Sequence, residues 1–223
     1  MSDDMKNPYN SPANVYDTPG FTERPKGVMA IGVIGIILGG MNALAAFGGM
    51  IGFAVNVFFK EFFQKLMIPN MNPAPGSHEE VQLKMQLAMQ AVGEKYLVAQ
   101  FLLAILAAVV AYMLIRGGIG AIRQVPSARK LFIYGMAVGI IQEILNGVAT
   151  TMVQMETFGI MKTMAESLTA NNQPGAEAAQ MVIMGSMMLG VVMAVIWIVL
   201  KLVYFGIGLK ILNKPSTVEY YGS

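Results

Sequence analysis

Between Tyr96 and Ile115 the chain reads YLVAQFLLAILAAVVAYMLI, with no charged residue. About 20 apolar residues rising 1.5 Å each cross the ~30 Å hydrocarbon core of a bilayer. In lipid only a helix or a closed barrel satisfies its own backbone, and this run lacks the alternation of a barrel strand. It therefore reads as a transmembrane helix. Three further stretches read the same way: about 28–53, about 131–153, and about 185–209, with apolar character already beginning at Met181. The fold expected is all-α and polytopic, with four transmembrane helices.

Composition points the same way. Of 223 residues 55% are hydrophobic and 13% charged, where a soluble domain carries about 25% charged. Mean hydropathy is +0.57. A net charge of +2 without a dense basic patch gives nucleic acid nothing to bind. The absence of cysteine excludes disulfides, thiol catalysis and thiolate metal sites, and the lone His78 excludes a multi-histidine site.

Residues 1–26 are polar and rich in Pro, Asn, Asp and Ser, and are expected to form a disordered cytoplasmic tail. Ala43-Leu44-Ala45 resembles a signal-peptide cleavage site. The long acidic tail before it and the apolar run continuing beyond it argue for a retained span instead.

Lys and Arg near the span ends set the expected orientation. Arg24, Lys26, Arg116, Arg123, Arg129, Lys130, Lys210 and Lys214 fall on one side. Lys60, Lys65, Lys84, Lys95 and Lys162 fall on the other, in longer loops with more acids. The positive-inside rule places both termini and the 116–130 turn in the cytoplasm of a cell-membrane protein. In the first outer loop, Ser77-x-x-Glu80 follows Pro73-Ala74-Pro75-Gly76 as a capping box. A helix is predicted from near His78 straight into the second span. Asn171-Asn172-Gln173-Pro174-Gly175 is a similar breaker before the fourth. Helices projecting ~15–25 Å beyond the membrane follow at the helical rise.

Landmarks recur in order. Gly35-Ile36-Ile37 with Asn42 returns as Gly139-Ile140-Ile141 with Asn146, Gly118-Ile119-Gly120 as Gly206-Ile207-Gly208, and Pro75-Gly76 as Pro174-Gly175. The repeat implies a duplicated helical hairpin: 27–122 and 123–214, each with an outer helical loop, followed by a cytoplasmic tail over 215–223.

Each span carries small or polar residues at spacings of three and four. The stripes are Gly35, Gly39, Asn42, Ala46, Gly49; Gln100, Ala104, Ala107, Ala111; Gly135, Gly139, Gln142, Asn146; and Gly190, Ala194, Trp197, Lys201, Gly208. Small residues let backbones approach where lipid supplies no hydrophobic drive, and polar ones add interhelical hydrogen bonds. The spacing predicts a left-handed bundle with the stripes facing inward. Gly35, Gly39, Gly135, Gly139 and Gly190 are the expected packing positions.

Counting from the cytoplasmic basic residues puts Asn42, Gln100 and Asn146 each ~24 Å deep, a candidate polar layer with Gln142 beside it. Glu143 lies ~20 Å deep and Lys201 ~14 Å. Side chains lean toward the N-terminus of their helix, so the two antiparallel residues lean toward each other. An unpaired charge at such depth costs about 2.5 kcal/mol or more, which makes an ion pair the expected arrangement.

Methionine is abundant, with 20 residues, many on the outer side: Met67, Met71, Met85, Met89, Met152, Met155, Met161, Met164, Met181, Met184, Met187 and Met188. Thioethers suit Cu(I), yet methionine is also an adaptable packing residue, and the chain lacks supporting soft ligands. Val81, Met85, Ala88, Met89 and Val92 form an apolar face on the outer helix.

No Walker loop, zinc-protease motif or nucleophile elbow is present, and Gly117-Gly118-Ile119-Gly120 ends a membrane helix rather than cradling phosphate. The expectation is no catalysis, no cofactor and no bound metal. The expected function is a membrane scaffold or accessory protein contacting the lipid bilayer and a membrane-protein partner or further copies of itself. The alternative is a transporter or ion-conducting subunit using Glu143 and Lys201.

Overall fold

The computed structural model describes residues 25, 27–59, 62, 78–170 and 176–221. The N-terminal tail, the Pro73–Gly76 and Asn171–Gly175 breakers, the Ser77 cap, and Met67 and Met71 lie outside the described residues. Among the described residues four long helices form: α1 Val28–Phe58, α2 His78–Ile122, α3 Pro126–Ala170 and α4 Ala176–Leu212. A short α5, Pro215–Tyr220, follows. Among the described residues there is no strand. All four long helices are long and apolar enough to cross a membrane, which suggests a membrane protein.

The helices outrun their apolar spans. α2 and α3 have 45 residues each, about 68 Å at the helical rise, more than twice the hydrocarbon thickness. α2 begins at His78 and runs unbroken through the second span. The turn between α2 and α3 is far tighter than the 116–130 segment suggests: only 123–125 are non-helical. Gln124 takes the left-handed conformation there (φ 60°). The Val125 N–H closes on the Gly120 carbonyl at 2.9 Å. Pro126 then starts α3, where its missing N–H costs nothing.

The end of the bundle that holds this turn and the described chain ends is here termed proximal. Its core is Val28, Ile31, Leu114, Phe132, Met136, Phe205, Leu212 and Tyr221. Close approach depends on missing side chains. A Cβ at Gly118 would lie 2.7 Å from the Gly32 carbonyl oxygen, and one at Gly139 2.8 Å from the Phe205 ring. Polar clasps reinforce this end. The Tyr204 hydroxyl donates to the Ile31 carbonyl at 2.7 Å, and Arg129 Nε to the Leu212 carbonyl at 2.9 Å. Residues 215–221, read from sequence as a tail, fold back as α5, and the buried Tyr221 hydroxyl donates to the Ala121 carbonyl at 3.2 Å.

Away from the proximal end α1, α2 and α3 stay associated. Phe53 stacks on Phe101 with ring centroids 4.1 Å apart. Lys95 and Tyr96 on α2 both donate to Glu156 Oε1 on α3. α4 behaves differently. It packs on α3 but buries far less of its apolar span than the other helices, and every residue from Met188 to Met193 is exposed.

Candidate functional site

Four ionisable or carboxamide side chains are buried together where α1, α3 and α4 converge. Asn42, Gln142, Glu143 and Lys201 are each no more than 7% exposed. Lys201 Nζ donates to Glu143 Oε1 at 2.6 Å and, more weakly, to Asn42 Oδ1 at 3.4 Å. Asn42 Nδ2 donates in turn to Gln142 Oε1, also at 3.4 Å. The Trp197 ring, one turn before Lys201 on α4, has its centroid 5.5 Å from Nζ. The chain of contacts runs Gln142–Asn42–Lys201–Glu143 and ties the three helices together.

The helical lean explains how residues of unequal depth meet, since Glu143 leans toward the proximal end and Lys201 away from it. The local dielectric is low, so the Coulomb attraction is strong, and so is the cost of desolvating both ions. Glu143 Oε2 is buried without a hydrogen-bond partner among the described residues. The carboxylate is thus held through one oxygen only.

Above this network, away from the proximal end, a cavity of about 520 Å³ opens between α1, α2 and α3. Its walls carry Asn42, Gln100, Gln142, Asn146, Thr150 and Gln154 among small residues such as Ala45, Gly49, Ala104 and Ala149. Lys201 is the one α4 residue in the lining. The sequence-predicted polar layer is therefore divided by depth. Asn42 and Gln142 join the ion-pair network as well as lining the cavity, whereas Gln100 and Asn146 line the cavity only. Gln100 is exposed; Asn146, Thr150 and Gln154 are half-buried.

The predicted glycines fall into two groups. Gly35, Gly39, Gly135 and Gly139 lie at helix contacts: a Cβ there would come within 2.6–2.8 Å of Phe132, Ile115, Met113 and Phe205 respectively. At Gly190 a Cβ would meet nothing within 4 Å. The outer part of α4 diverges, so that section of its small-residue stripe faces no helix among the described residues.

Thr150 and Gln154 were missed from sequence, although a signal existed. Gln142, Asn146, Thr150 and Gln154 recur every four residues on α3, one continuous polar face. Tyr204, whose hydroxyl lies where a Gly35 side chain would be, carries no such periodic signal. Among the described residues no cluster of three or more His, Cys, Asp or Glu side chains forms a metal site. Met152, Met155, Met181 and Met188 point outward, each more than half exposed.

No family model, curated protein or solved structure matches this chain.

Proposed function

We propose that the chain is a multi-pass scaffold or accessory protein of the cell membrane, acting through protein or lipid contacts and performing no catalysis of its own. In this reading both termini are cytoplasmic. The two hairpins are duplicated copies inserted in the same direction, and they pack as a left-handed bundle. The helical extensions of α2 and α3 project from the outer face and present docking surface to a membrane-protein partner or to further copies of the chain.

The observation that supports this best is the outer half of α4. From Met187 to Leu200 the helix is apolar on all sides, the pattern of a segment buried in lipid or against another span. Gly185 and Gly190 leave flat sites where another backbone can approach, since a Cβ at either meets nothing within 4 Å. A photo-crosslinking residue at Met188 or Val192, activated in the native membrane, is expected to give a protein adduct. The same residue at Ile37, exposed on α1, serves as the reference. Adducts with lipid alone at all three positions would sink the proposal.

A second reading, a transporter or ion-conducting subunit, is favoured by the polar cavity ending on a buried ion pair. Intramembrane ionisable residues beside a hydrated cavity are what solute paths are built from. Its test is flux in proteoliposomes that Glu143→Gln abolishes.

A further inference from the structure

We infer that the cavity between α1, α2 and α3 is a hydrated binding site for small uncharged solutes of the polyol or amide class, and that it disfavours ions of either sign. This goes beyond both readings above and, if it holds, leaves only the uncharged-solute form of the second, because it concerns what the cavity admits and does not require that anything be moved.

Size comes first. About 520 Å³ lies within the ~300–1,000 Å³ of small-molecule pockets. The lining then restricts the occupant. Gln100, Asn146, Thr150 and Gln154, all with polar side chains, line the cavity at or near membrane depth. Hydrocarbon cannot satisfy those groups, so water or a hydrogen-bonding solute must. A carboxamide offers both a donor and an acceptor, the complement of hydroxyl and amide groups.

Charge narrows it further. Among the described residues Lys201 is the sole ion in the lining, and Glu143, 2.6 Å from its Nζ, balances it from behind. An anion in the cavity is drawn by Lys201 and repelled by Glu143; a cation meets the ammonium first. Neither gains enough to replace its lost hydration. A neutral acceptor loses far less on dehydration. An ammonium has three protons, and Glu143 and Asn42 take two. The third suits a carbonyl or hydroxyl oxygen of the occupant.

The test uses the absence of native cysteine. Ala45→Cys and Ala149→Cys place a thiol on two walls of the cavity without removing any polar group. Gly93→Cys, where a Cβ meets nothing within 4 Å, is the reference position outside it. Each full-length variant, in nanodiscs, is treated with hydroxyethyl, trimethylammonioethyl or sulfonatoethyl methanethiosulfonate. Relative to Gly93→Cys, the uncharged reagent is expected to react at both wall positions about ten-fold or more faster than either ion, the discrimination expected from partial dehydration. Failure of all three reagents would show a dry cavity and overturn the inference. An ion reacting as fast as the neutral reagent would overturn it equally. Adding Glu143→Gln to Ala149→Cys uncovers the Lys201 charge, so the anionic reagent should speed up and the cationic one slow down. An unchanged ratio would contradict the role given to the pair. If that variant does not fold, Glu143→Gln with Lys201→Met removes both charges together and should keep the neutral preference; loss of that preference would also refute it.

Discussion

At the proximal end, four helices close on large side chains seated against glycines: the Phe132 ring against Gly35 and Gly117, the Phe205 ring against Gly139, and the Met136 thioether against Gly208. Toward the other end, α1, α2 and α3 part around carboxamides and α4 leaves the bundle. Both regions sit among the same kind of apolar sequence. The difference lies in what fills the space between backbones. Where glycine removes the side chain, a facing ring, thioether or backbone enters and fills the space. Where Ala, Asn and Gln stand instead, the helices separate by enough to admit solvent. The Glu143–Lys201 pair lies at the boundary, the last cross-link before the cavity.

The largest expected effect comes from cutting that cross-link. Lys201→Met leaves Glu143 buried without its partner, and Glu143→Gln leaves Lys201 so. Breaking a buried pair from one side costs about 3–5 kcal/mol. Thermal unfolding in detergent should show each single substitution strongly destabilising and the double recovering much of the loss. Neutral singles without coupling would mean that the pair is not what holds the two regions together.

Glycine substitutions sharpen the comparison next. Gly118→Ala drives a methyl against the Gly32 carbonyl, and backbone cannot yield as a side-chain tip does. Overpacking of this kind costs about 1–3 kcal/mol. Gly190→Ala meets nothing and should be neutral or, through helix propensity, stabilising by up to ~1 kcal/mol. Equal effects at the two positions in detergent would erase the distinction between the packed α1–α2 contact and the unpacked outer part of α4. A loss at Gly190 confined to the native membrane would reveal a helix partner there.

Tyr221→Phe tests the proximal clasp. It removes the hydroxyl that reaches the Ala121 carbonyl while keeping the ring, at an expected cost of about 0.5–1.5 kcal/mol. A loss of several times that, read from the same unfolding curves, would mean that α5 detaches as a unit.

Much of this arrangement is legible in the sequence, for identifiable reasons. Hydrocarbon thickness turns long uncharged runs into helices, and the stripe in α1 is read from spacing alone, since Gly35, Gly39, Asn42 and Ala46 are all buried. Depth counting with helical lean brings Glu143 and Lys201 within reach, because both quantities follow from backbone geometry. It does not separate Gln142 from Asn146, one turn apart on one face, where side-chain length and α4 packing decide which meets Asn42. Nor does it show α4 diverging. In lipid a helix apolar all round is equally stable alone or packed, so hydropathy carries no signal of the difference. The docking of Tyr221 is hidden for another reason, that a single hydroxyl reaching one backbone carbonyl leaves no pattern.

The smallest effect expected lies at the far end of α2 and α3, where Lys95 and Tyr96 hold Glu156. The hydrogen bond from Lys95, then that from Tyr96, holds the Glu156 carboxyl below its ordinary value of 4.5. The hydrogen bond to Glu156 raises Lys95 above 10.5. A carboxyl depressed on folding adds stability that is complete above its unfolded value and disappears as pH falls through the folded one. A raised lysine adds stability that is complete below 10.5 and disappears as pH rises further. The difference in unfolding midpoint between the native chain and Glu156→Gln should therefore be level between these limits and shrink beyond each. It should be small throughout, since Lys95 is 61% exposed and solvent screens such pairs. It should also fall in high salt, as that of Glu143→Gln should not, because buried charges escape screening. Equal salt sensitivity at the two sites would place Glu143 and Lys201 in water, and the contrast between a dry junction and a wet extremity would go with it.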